Sequence, residues 1–167
     1  LFQYFPFFLN SNYPMANTFS QIYIHVVFAV QNRKALINPL WEEELFKYIS
    51  GIVRNKDQKI LAINGTSNHL HLLISIKPNC CLSDLIREIK KSSNQFIKSM
   101  KISRFDFRWQ EGFGAFSCSQ SNLNTIVSYI QNQKEHHSRQ SFIDEYIENL
   151  RAFKIEFNKD YLFDRIE

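Results

Sequence analysis

Apolar and polar positions alternate over residues 20–30, where β-branched residues dominate (Ile22, Ile24, Val26, Val27), and this predicts a first strand. The period then changes. Pro39 opens a stretch with Trp41, Leu45, Tyr48, Ile49 and Ile52 at helical spacing, running to about Asn55. Residues 59–64 and 69–76 read as two more strands, joined by the turn-forming run Gly65-Thr66-Ser67-Asn68 and closed by Pro78 and Asn79. Ser83 is placed to cap a helix over 84–100, with Leu85, Ile86, Ile89, Phe96 and Ile97 on its apolar face. Residues 107–110 and 112–117 predict a short strand and loop. Ser119 or Ser121 is placed to cap a helix through Leu123, Ile126, Val127 and Ile130, and 138–153 forms another. Tyr161 and Phe163 are expected to pack the tail onto the body.

The order β-α-β-β-α-β followed by helices predicts an α+β fold of the ferredoxin-like, split βαβ kind. Its antiparallel sheet carries two helices on one face. The other face is left for an extra C-terminal helix.

Length and composition narrow the class. A chain of 167 residues, 44% hydrophobic with four glycines and four prolines, is one globular domain rather than a disordered or repetitive protein. The aromatic start, residues 1–14, is broken by Pro6 and lacks a basic region, so it fails as a signal peptide or membrane span. The domain is expected over 15–167, with 1–14 a non-native or disordered extension. Cys80, Cys81 and Cys118 are odd in number and lack C-x-x-C spacing, so neither a disulfide framework nor a zinc knuckle follows. A reducing, cytoplasmic setting fits them best. The net charge of +4 permits a nucleic-acid partner without demanding one. Basic residues concentrate over 77–108, although such a run is equally read as a solvated helix face.

Two short stretches carry candidate chemistry. His69-Leu70-His71 lies on the third strand, where i and i+2 share a face, so both imidazoles point the same way. Two such groups on one face can hold a divalent metal. Tyr129 and Gln133 lie four apart in a helical pattern and so share a face, and a tyrosine can attack phosphorus. His-x-His on an apolar strand is by itself more often structural. His136 and His137 leave open a competing zinc site with the strand histidines.

The residues between these stretches add specificity. Trp109-Gln110-Glu111-Gly112-Phe113-Gly114-Ala115-Phe116-Ser117 and Tyr129-Ile130-Gln131-Asn132-Gln133-Lys134-Glu135-His136-His137, with Tyr23-Ile24-His25-Val26-Val27-Phe28, Phe142, Glu145 and Lys154-Ile155-Glu156-Phe157, resemble the single-tyrosine HUH transposases of the insertion-sequence 200/605 type. The resemblance implies that Tyr129 attacks a DNA phosphodiester, keeping the 5′ phosphate and freeing a 3′-hydroxyl. It implies that His69, His71 and Gln133 hold Mg²⁺ or Mn²⁺, with imidazole ligands favouring Mn²⁺. It further implies single-stranded DNA with hairpins as partner, a homodimer, no nucleotide cofactor and no membrane. Arg87, Lys90, Lys91 and Lys98 would track hairpin phosphates. The tyrosine helix could complete a partner's site, with residues 112–114 as hinge. The alternatives are a domesticated relative acting on repeated extragenic palindromes, and a non-catalytic single-strand nucleic-acid binder.

Overall fold

The computed structural model describes residues 18–33, 36–101, 106–136, 141–158 and 162. The expectations for 1–14, Tyr161, Phe163 and His137 lie outside the described residues, as does the side chain of His136.

Four antiparallel strands form the sheet: β1 (Ile22–Ala29), β2 (Lys59–Gly65), β3 (His69–Ile76) and β4 (Gly114–Cys118), in the order β2-β3-β1-β4. Helix α1 (Glu42–Asn55) joins β1 to β2, and α2 (Leu82–Ser99) joins β3 to β4. This is the split βαβ topology that the hydrophobic pattern predicts. Among the described residues no helix is long and apolar enough to cross a membrane.

The period-2 alternation of the strands sorts their side chains into two layers. On one face, Val26, Phe28, Leu70, Leu72 and Ile74 pack against Leu45, Ile49 and Val53 of α1 and Leu85, Ile86 and Ile89 of α2. Trp109 completes this layer. Its ring stands edge-on to Phe28 and Phe107, and its indole N–H donates to the buried Ser93 hydroxyl over 2.8 Å.

The opposite face is not open. Helix α3 (Leu123–Gln131) lays Ile130 on Ala62 and Leu73, and α5 (Phe142–Ala152) lays Phe142 and Leu150 on Val27, Ala29 and Phe116. The physical reason is that this face is itself largely apolar, so leaving it wet would forgo its burial.

Boundaries differ from the sequence reading in four places. Helix α2 begins one residue before Ser83, with extended Cys81 preceding it and no side-chain cap. Ser119 precedes a 3-10 turn, Gln120–Asn122, from which α3 continues. Residues 107–110 contribute a single bridge, Val30 to Trp109, rather than a strand. Helix α5 starts at Phe142, where the Ser141 hydroxyl accepts from the Asp144 N–H.

Candidate metal centre and its tyrosine

His69 and His71 lie on β3 directly opposite Ala29 and Val27 of β1. Both side chains therefore point to the face covered by α3 and α5. Each ring is held by a specific partner. His69 Nδ1 lies 2.7 Å from Asn68 Oδ1 and 2.9 Å from the Thr66 hydroxyl. An amide oxygen can only accept, so His69 Nδ1 carries a proton, and in the neutral ring Nε2 is then the nitrogen that presents a lone pair. His71 Nδ1 lies 2.9 Å from His25 Nε2, and the two rings stack. With the shared proton on His71 Nδ1, its Nε2 is likewise a lone pair. Burial holds the His25 pKa down to about 4, so His25 is neutral near pH 7 and able to accept that proton.

The third member comes from α5. Glu145 Oε1 lies 3.7 Å from His71 Nε2, and one donor atom from each of His69, His71 and Glu145 falls within 4.8 Å of the others. These three residues can hold a metal ion. Burial raises the Glu145 pKa to about 8, with Glu148 adding to the effect. The register of α5 is set by Phe142, whose ring stacks on His69 with centroids 4.1 Å apart.

Gln133 is also brought here, by a route the sequence pattern does not anticipate. The helix that carries Tyr129 stops at Asn132, and Gln133 opens a separate short helix, α4 (Gln133–His136). Tyr129 and Gln133 therefore do not stack on one continuous helix. Asn64 Nδ2 donates to Gln131 O at 2.7 Å, tying the end of α3 to β2, and Lys134 pairs with Glu42 of α1. Gln133 Nε2 donates to Glu145 Oε1 at 3.1 Å. Its own Oε1 is buried with no hydrogen-bond partner among the described residues. A buried amide oxygen left in that way is costly unless something accepts its lone pairs. Two inward imidazoles, a carboxylate and this oxygen form a donor set that fits a divalent cation. His69, His71, Gln133 and Glu145 are all at most 3% exposed.

Tyr129 stands beside this cluster in the same chain. Its half-buried ring is edge-on to His71 and to His25, with centroids 5.9 and 6.1 Å apart.

The basic helix lies elsewhere. Helix α2 covers the sheet face away from the histidines. Arg87 pairs with Asp84, Lys98 lies 3.2 Å from Asp106, and Lys91 is exposed. Lys90 is half-buried. Its amine donates to Gln110 O at 2.7 Å and to Gly112 O, and lies over the Phe28 ring. Gly112 has a left-handed φ of 73°, which favours glycine, and Gly114 lies beneath Tyr146 of α5.

The sequence pattern gives no site role to Glu145 or His25, although both are among the residues that carry the family resemblance. The available signal was a carboxylate on an apolar stripe: Glu145 lies between Phe142 and Leu150 on the buried side of α5. His25 is the same anomaly on a strand, a polar side chain in an apolar β-branched run.

The fold, a four-stranded antiparallel sheet with helices packed on it, is one that solved structures share. A transposase-designated protein from Deinococcus radiodurans R1 superposes with a TM-score of 0.56 at 17% identity, covering 70% of this chain and 93% of its own. A REP-associated tyrosine transposase bound to a REP hairpin superposes with a TM-score of 0.56 at 16% identity, covering 90% and 96%. No curated protein gives a significant match. The model of the family described as "Transposase IS200 like" matches residues 18–133, and the chain belongs to that family of transposases.

Proposed function

We propose that the chain is a single-tyrosine transposase that cleaves and rejoins single-stranded DNA at hairpin-marked ends. Tyr129 is the nucleophile. The observation that carries this reading is the meeting, within one chain, of the Tyr129 ring with His71 and its neighbour His25 beside the buried donor cluster.

In this reaction the Tyr129 oxygen attacks a phosphodiester phosphorus and the bond from phosphorus to the 3′ oxygen breaks. The 3′ oxygen leaves with the bonding pair and takes a proton, while the phenol gives one up. The 5′ phosphate stays on Tyr129 as a phosphodiester, so its energy is conserved and the returning 3′-hydroxyl needs no nucleotide cofactor to rejoin. A phenol with a pKa near 10 is a weak nucleophile at neutral pH unless its environment helps. Mg²⁺ or Mn²⁺ held by His69, His71 and Gln133 would polarise the phosphate and offset charge in the transition state. His25 and Asn68 keep the two imidazoles in the tautomer that presents Nε2.

The hairpin would lie against the basic face of α2, remote from the chemistry. Arg87 and Lys91 line a groove there with Lys56 and Lys77, although Asp57, Asp84 and Glu88 share it. Lys98 extends the same helix face, and Lys90 fixes the loop at Gly112. Such contacts make binding fall with salt. The active form is a homodimer in the cytoplasm.

A second reading, action on repeated palindromes rather than on a mobile element, is favoured by one observation. The REP-hairpin-bound structure aligns over 90% of this chain. The test common to both is incubation with single-stranded hairpins from the flanks of the gene and from scattered palindromes, with Mn²⁺ present. An adduct surviving denaturation on either set supports the chemistry and says which DNA is used. Its absence on both refutes the proposal.

A further inference from the structure

We infer that Glu145 is itself a ligand of the divalent cation, and that through it the chain loads its cation before any DNA is bound. The inference rests on the metal reading of His69 and His71 and adds to it a residue from α5, a helix beyond the family-matched span of 18–133.

Position is the first argument. The Glu145 carboxylate lies on the same side of the sheet as both histidines, within 4.8 Å of a nitrogen of each. It is held there from two directions. Phe142, three residues earlier on α5, stacks on His69, and the Gln133 amide donates to Oε1.

Burial is the second. Glu145 is 3% exposed on a helix face that otherwise buries Phe142 and Leu150. A carboxylate placed there costs free energy unless a cation or strong donors compensate it.

Charge is the third. Two imidazoles and an amide bring no negative charge to a divalent ion, so with those ligands alone the first anion at the metal would be the DNA phosphate. Cation binding would then be weaker until DNA supplied its charge. A carboxylate ligand supplies that charge from the protein and strengthens binding in the absence of DNA. It also joins α5 to β3 through the ion, so loading should fasten α5 to the sheet.

The experiment is a Mn²⁺ titration of the full chain without DNA, followed by the loss of the free-ion electron paramagnetic resonance signal. Wild type should bind. Glu145→Gln, nearly isosteric, should bind at least ~10-fold more weakly, and Mn²⁺ should protect the amides of α5 from hydrogen exchange in wild type only. Unchanged affinity in Glu145→Gln, or wild-type binding that appears only once a hairpin is added, would overturn the inference. His69→Ala separates the two levels. Loss in His69→Ala with retention in Glu145→Gln removes Glu145 and leaves the histidine site standing; retention in both removes the metal reading itself. Should Glu145→Gln not fold, electron–nuclear double resonance on wild type carrying carboxyl-¹³C glutamate decides. A ¹³C coupling to Mn²⁺ is expected, and its absence overturns the inference.

Discussion

His25 Nε2 and His71 Nδ1 meet at 2.9 Å across adjacent strands, so a residue of β1 sets which nitrogen β3 can offer to a metal. The consequence is testable without any DNA. Removing the outer partner of a metal-bound histidine typically costs ~10–100-fold in metal affinity. His25→Phe should therefore weaken Mn²⁺ binding by about that factor while leaving the fold intact. Isothermal titration against wild type, with a thermal melt as the folding control, checks it.

Gly114 sits where a side chain would strike α5. A Cβ there would lie 2.8 Å from the Tyr146 ring and 2.9 Å from its hydroxyl oxygen. Overpacking of this kind costs about 1–3 kcal/mol. Gly114→Ala should lower the melting temperature, and adding Tyr146→Ala should recover part of the loss. Additive losses in the double variant would mean that the two residues do not meet as described.

Ser93 links α2 to the aromatic layer. Its hydroxyl donates to Ile89 O at 2.6 Å and accepts from the Trp109 indole, all buried. Ser93→Ala leaves the indole N–H without its acceptor, at a cost of about 1–3 kcal/mol. Chemical denaturation of the variant measures it. Nucleic-acid binding should not change apart from that loss of stability.

Lys90 gives a pH signature. Desolvation lowers its pKa to about 8 against a partly offsetting Glu111, whereas an unfolded lysine titrates near 10.5. Between those values the unfolded chain holds the proton that the folded chain has released. Stability from this residue therefore rises as pH rises from 8 towards 10.5. The stability of wild type relative to Lys90→Met should increase across that window. A flat difference would contradict the buried setting of the amine.

The sheet was legible because its strands obey period-2 alternation with turn residues between them; β3 has the bounds 69–76 that pattern alone gives. The split βαβ order followed from that. Site geometry was legible only where spacing along one element decides it. His69 and His71 share a face because they lie two apart on a strand. Gln133 reaches the cluster by a break at Asn132 and a new helix, which i,i+4 spacing does not describe. Glu145 and His25 come from other elements and meet His71 only through tertiary packing, so no local pattern pairs them with it. The apolar face that receives α3 and α5 was also present in the sequence, in Val27, Ala29, Leu73 and Phe116, but nothing local says which helix covers it.

The most direct test of the central claim maps the bond between protein and DNA. A 5′-phosphate-linked oligonucleotide, recovered after cleavage of a single-stranded hairpin with Mn²⁺ and digestion of the protein, should be found on the peptide containing Tyr129. Tyr129→Phe should yield no adduct while binding the hairpin as wild type does. An undiminished adduct in Tyr129→Phe, or a link to the 3′ side of the break, would contradict the account.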